Sequence, residues 1–92
     1  MDLQKHLLYL TKKEMMNVSF HKLRGIRAVW NDPTARLTFY FDGEVTEDET
    51  EKASDLCTYI ISHFPNGLLE EHYERWDLPK PLPTENFVSY DL

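Results

Sequence analysis

Between Arg36 and Phe64 the hydrophobic pattern changes period, and the change is completed within Asp42-Gly43-Glu44-Val45-Thr46. Before it, Leu37, Phe39 and Phe41 alternate with Arg36, Thr38, Tyr40 and Asp42, the period-2 pattern of a strand with one buried face. After it, Ala53, Leu56, Cys57, Ile60 and Phe64 recur at helical spacing, with Ile61 beside them. Gly43 ends the strand. Thr46 followed by Glu49 matches a capping box, in which each side chain bonds the other residue's backbone amide. Glu47, Asp48, Glu49 and Glu51 fall where the positive end of a helix dipole favours acids. Pro65-Asn66-Gly67 supplies the stop, so the spacing predicts a helix over about 47–64. A strand feeding directly into an amphipathic helix excludes all-α and all-β folds.

The flanking segments extend this frame. Leu3, Leu7 and Leu10 share a stripe that includes His6 and is extended by Leu8 and Met15, with Asp2 placed as a cap, so residues 2–16 read as a first helix. In 22–31, Ile26, Ala28 and Trp30 alternate with Arg27 and Val29. Asn31-Asp32-Pro33-Thr34 provides turn chemistry, so this strand must pair with 36–42 as an antiparallel hairpin. Residues 68–78 put Leu69, Glu71, Tyr73 and Arg75 on one face and Glu70, His72, Glu74 and Trp76 on the other. So few aliphatics suit an exposed strand at the end of a sheet. Pro79, Pro81 and Pro83 impose a stiff extended connection, and 87–92 reads as a last strand.

The expected architecture is α+β: one small domain over residues 1–92, a two-layer sandwich in αββαββ order. Its four-stranded sheet is mostly antiparallel, with two helices on one face. The prolines leave the strand order open.

Charge narrows the function. The net charge of −6 is unevenly spread: residues 1–41 carry seven Lys/Arg against three Asp/Glu, and residues 42–92 carry three against thirteen. Asp42 to Asp55 alone holds seven carboxylates and one lysine. Nucleic-acid binding, which favours a continuous basic face, is not expected. A basic protein partner for the acidic half is. No apolar run is long enough for a membrane span, no signal peptide is read at the start, and the single Cys57 has the helical phase of a core residue in a reducing compartment, so the expected location is cytoplasmic.

Catalytic and metal-binding patterns are weak. His72 between Glu70 and Glu74 lies on one strand face, where three successive ligands rarely converge on one ion. Asp42-Gly43-Glu44 lacks the glycine and glutamate spacing of a calcium loop. There is no glycine-rich phosphate loop, no Gly-x-Ser-x-Gly and no Cys-x-x-Cys. The chain is expected to be no enzyme and to need no metal or cofactor.

What remains is surface. With Leu37, Phe39 and Phe41 under the helices, the other sheet face should carry Arg27, Val29, Arg36, Thr38, Tyr40 and Asp42, joined by parts of 69–76 and 87–92. Tyr40, Tyr73 or Trp76, and Tyr90 among charges would make a docking face. The outward carboxylates of the acidic segment should be Glu44, Glu47, Asp48, Glu51 and Asp55. The expected partner-binding set is therefore Tyr40, Glu44, Glu47, Asp48, Glu51, Asp55, Tyr73 and Trp76.

Four stretches also carry a resemblance: Leu23-Arg24-Gly25-Ile26-Arg27-Ala28-Val29; Leu37 to Glu44; Ala53-Ser54 leading to Ile60-Ile61-Ser62-His63-Phe64-Pro65; and Arg75-Trp76-Asp77-Leu78-Pro79-Lys80-Pro81-Leu82-Pro83. Over residues 22–90 the chain resembles a group of small, largely uncharacterised bacterial proteins, some of which resemble the immunity proteins that neutralise contact-dependent or polymorphic toxins. Those relatives commonly finish Tyr-x-Arg-x-Glu, whereas this chain has Tyr90-Asp91-Leu92. The resemblance implies a bacterial cytosolic binder that blocks a toxin domain by contact. The alternative is a general interaction module that forms a homodimer.

Overall fold

The computed structural model describes residues 2–90. Six elements follow one another: α1 (Leu3–Met15), β1 (Leu23–Asn31), β2 (Thr34–Phe41), α2 (Glu47–Ile61), β3 (Leu68–Arg75) and β4 (Phe87–Ser89). Asp2 caps α1 by accepting the Lys5 amide at 3.2 Å. The β1–β2 hairpin turns on Asp32-Pro33 alone, with Asn31 opposite Thr34. The last strand is shorter than the 87–92 expected, and Asp91 and Leu92 lie outside the described residues.

The sheet order is β3-β2-β1-β4, and the sheet is mixed. β1 is antiparallel to both β2 and β4, but β2 and β3 run parallel, with Thr34 opposite Leu68 and Phe41 opposite Arg75. This departs from the mostly antiparallel expectation at one of three pairings. The cause is α2, which carries the chain back to the end of the sheet where β2 began, so the next strand must repeat β2's direction.

Both helices cover one face. Leu7, Leu10 and Met15 of α1 and Ala53, Leu56, Cys57 and Ile60 of α2 join Ile26, Ala28, Leu37, Phe39 and Phe41 in a single core. Each fully buried large side chain contributes roughly 1.5–3 kcal/mol. One end of the core is closed by Trp30 stacked on Phe64 at 5.0 Å, with His6 tilted against Phe64 at 5.3 Å. The other end is closed by Phe20, which packs on Phe39, Phe41 and Tyr90.

Among the described residues, no helix covers the second sheet face. The connection from Trp76 to Asn86 folds back over one end of that face. Trp76 Nε1 donates to Pro81 O at 2.8 Å, and Arg24 Nη1 donates to Trp76 O and Lys80 O, each at 2.8 Å.

Candidate protein-binding surface

The acidic segment is held rigidly at its start. Gly43 adopts φ +96°, a left-handed conformation that side chains disfavour, and its amide donates to Asp77 Oδ1 at 2.7 Å. Asp42 reciprocates by accepting the Leu78 amide at 3.1 Å, and Trp76 N donates to Phe41 O at 2.7 Å. Arg75 bonds both carboxylate oxygens of Asp77 at 3.1 Å. These bonds, from Arg75 first and the Gly43 amide next, hold the Asp77 carboxyl below its ordinary range.

The capping box forms by half. Thr46 Oγ1 accepts the Glu49 amide at 3.3 Å, but the Glu49 side chain does not reach back to Thr46. It turns inward, 3% exposed, and Oε1 accepts the consecutive amides of His21 and Lys22 at 2.6 and 3.1 Å. Oε2 has no hydrogen bond, and Lys52 Nζ stands 3.9 Å away while donating to Ser19 O. Glu49 thus ties α2 to the segment entering β1, a task that its position in a capping motif does not suggest.

With Asp42 and Glu49 committed to the fold, the outward carboxylates are Glu44, Glu47, Asp48, Glu51 and Asp55, all exposed. Glu47, Glu51 and Asp55 are spaced four apart and line one stripe of α2, with Asp48 beside it. The helix therefore buries Ala53, Leu56, Cys57 and Ile60 on one side and presents four acids on the other. Glu44 precedes the helix and contributes to the field at Arg75.

The aromatic residues do not gather on one exposed face. Tyr40 does lie on the helix-free face, but it is 5% exposed rather than a contact residue. Trp76 packs edge-on to it at 5.3 Å, and Phe87 does so at 5.9 Å. The returning proline segment holds Trp76 there, a closure that strand alternation does not foretell. Burial, and secondarily the Glu74 carboxylate, raises the Tyr40 hydroxyl above its ordinary pKa.

Tyr73 points to the helix side, stacked on Phe39 at 5.6 Å, and its hydroxyl donates to Glu71. Burial, then that bond, raises its pKa. Tyr90 also belongs to the helix side. Its hydroxyl donates to Val18 O at 2.8 Å and accepts the Phe20 amide at 2.9 Å. Of Tyr40, Tyr73, Trp76 and Tyr90, Trp76 is the one that keeps partial exposure on the helix-free face, with Lys80 Nζ 3.7 Å from its ring centroid. Toward the other end of β3 the same face carries charges of both signs: Arg36 pairs with Glu70 at 3.2 Å, and His72 lies 3.7 Å from the same carboxylate.

Cys57 is buried under β3, and burial, then Glu71, pushes its thiol well above the ordinary range. That environment opposes thiolate formation. Among residues the sequence gives no cue for, Arg24 and Asp77 matter most, since Arg24 fixes β1, and Asp77 the acidic segment, to the proline connection. Their partners are distant in sequence, and no periodicity marks such bonds.

This chain therefore offers an acidic helix face, a mixed-charge sheet face and an aromatic corner at its margin. No curated protein and no solved structure matches it. The family model described as MafI2 immunity protein matches residues 4–90. The resemblance to toxin-immunity proteins read in residues 22–90 thus holds and extends through α1. On a match over nearly its whole length, the chain belongs to the MafI2 immunity protein family.

Proposed function

We propose that this chain is a non-catalytic immunity protein that neutralises a toxin by direct protein–protein contact in the bacterial cytoplasm. Family membership supports the role, and the acidic outer face of α2 supports the mode. Glu47, Asp48, Glu51 and Asp55 are exposed together, and none serves the core. A basic toxin domain is the complementary partner, and the acids would steer its approach. Trp76 with Lys80 would contribute an anchor at the margin of the helix-free face.

The test begins with affinity capture of partners from native bacterial lysate and identification by mass spectrometry. The captured toxin domain is then co-expressed with the chain. Restored growth is expected. Recovery of the chain with only further copies of itself, or a captured domain that stays toxic beside it, would overturn the reading.

A further inference from the structure

β3 is an eight-residue strand at the outer edge of the sheet, with β2 as its only strand neighbour among the described residues. Leu68 N donates to Pro33 O at 2.8 Å, and Trp76 N donates to Phe41 O at 2.7 Å. Backbone groups alternate sides along a strand. The even-numbered residues Leu68, Glu70, His72, Glu74 and Trp76 therefore direct N–H and C=O toward β2. Those of Leu69, Glu71, Tyr73 and Arg75 point away from the sheet. This is an unpaired template of the kind that natural proteins usually shorten, bulge or cover.

Carboxylates flank that template on both sides. On the helix-free side stand Glu70 and Glu74. Arg36 balances Glu70, while Glu74 has no ion-pair partner within 4.0 Å among the described residues. On the helix side stands Glu71, which accepts from Ser54 of α2 at 3.4 Å and thereby places α2 over this edge. Glu47 and Glu51 lie seven and three residues before Ser54, on the same flank of that helix. Arg75, at the strand's end, is engaged by Asp77.

We propose that the free edge of β3 receives an extended, basic segment of the toxin as a fifth strand. This rests on the toxin-binding reading above and specifies its contact. Four residues of unpaired backbone would supply main-chain hydrogen bonds. Lys or Arg on either face of the incoming strand would meet Glu70 and Glu74, or Glu71, Glu47 and Glu51. A second copy fits less well. Antiparallel self-pairing centred on His72 sets Glu70 against Glu74, pairing centred on Glu71 sets that acid against itself, and pairing centred on Tyr73 would set Glu71 against an Arg75 that Asp77 already engages. Both copies also carry a net charge of −6. Charges that repel a copy and attract a basic strand confer selectivity as well as solubility.

The probe is a synthetic peptide of alternating Lys and Val, about ten residues long to match a strand of this length. Its control has Glu in place of Lys. Amide exchange of the isotopically labelled chain is followed by NMR at low salt. With the Lys peptide, the amides of Leu69, Glu71, Tyr73 and Arg75 should slow by about tenfold or more, while those of Glu70, His72 and Glu74 stay unchanged. The Glu peptide should do nothing.

Glu70→Lys with Glu74→Lys should abolish the effect without unfolding the chain, because both side chains are exposed and the Arg36 pair is worth little. Absence of the alternating protection, or equal protection by both peptides, would overturn the proposal. So would sedimentation of a dimer already protected at the same amides, which would assign the edge to a second copy. Failure of growth protection would instead overturn the immunity reading, and the peptide result would still report whether the edge takes a basic strand.

Discussion

Gln4 takes the place of a strand beside Trp30. Its Oε1 accepts the Trp30 amide at 2.6 Å, and its Nε2 donates to Ala28 O at 2.9 Å. β4 pairs with β1 only from Gly25 to Arg27, and the next amide, Ala28 N, donates to Asn86 O at 2.8 Å. Beyond that point one side-chain amide from α1 continues the ladder. This locks the first helix to the sheet and covers an edge that would otherwise be open, which leaves β3 as the long free edge of the fold.

Gln4→Ala should therefore destabilise the chain by about 1–3 kcal/mol, because a half-buried carbonyl and amide lose their partner together. Urea unfolding followed by tryptophan fluorescence measures it. A change below about 0.3 kcal/mol would mean that water replaces the side chain without loss.

Gly25 meets Phe87 and the backbone of β4 at close range. A Cβ built there would stand 2.7 Å from both Phe87 Cε2 and Val88 O, closer than side-chain carbons approach one another. Gly25→Ala should displace β4 and cost about 1–3 kcal/mol by overpacking. The neighbouring aromatic corner should loosen with it, since Phe87 packs on Tyr40. A thermal melt, with the near-ultraviolet dichroism of Tyr and Trp, would register both effects.

The fold was legible wherever short-range pattern decides it. Leu37, Phe39 and Phe41 are all buried as their alternation predicts, and Thr46 caps α2 as its motif predicts. The sense of β3 was not legible, because its direction is set by the path of α2 across the sheet and not by any residue in the strand. Nor was the fate of the aromatics. Tyr40 occupies the face its phase assigns, yet it is buried by Trp76 and Phe87, which reach it only through a proline-rich return held by Arg24. The exposed acids of α2 were legible because helical phase alone sorts Glu47, Asp48, Glu51 and Asp55 from the core. Glu49, in the same run, escaped the pattern because the amides of His21 and Lys22 draw it inward.

Glu49→Ala should test that inward role. It removes the one side chain that, among the described residues, bonds the His21 and Lys22 amides, and it removes a buried oxygen that lacks a hydrogen bond. The two effects oppose each other. Two lost charge-assisted bonds at about 1.5–3 kcal/mol each should outweigh relief of the unpaired oxygen. The variant should melt lower, with faster amide exchange at His21 and Lys22 than in the unchanged protein.

Asp77 should give the chain an acid-sensitive latch. Its carboxyl is held below the ordinary aspartate range by Arg75 and the Gly43 amide. A carboxylate whose pKa is lower folded than unfolded stabilises fully above the unfolded value of about 3.9, and that stabilisation disappears as pH falls through the folded value. The melting temperature should drop across that acid window. In Asp77→Asn the drop should be shallower, since the residue that titrates is gone. Parallel curves for the two proteins would show that the latch contributes nothing to acid sensitivity.

Charge reversal on α2 tests the proposed steering. In Glu47→Lys, Asp48→Lys, Glu51→Lys, association with the toxin domain should slow by roughly 10-fold or more at low salt, as loss of a steering field predicts. The substitutions also oppose the helix dipole, at about 0.3–1 kcal/mol each, so the folded fraction must be checked by thermal melt. Salt separates the two causes. Steering is screened with a Debye length of about 8 Å at physiological ionic strength and about 3 Å at 1 M, so the rates of the variant and the unchanged protein should converge as salt rises. A folding defect would keep them apart at every ionic strength. Equal rates at low salt would remove the acidic face of α2 from the encounter and leave recognition to other surfaces of the sheet layer.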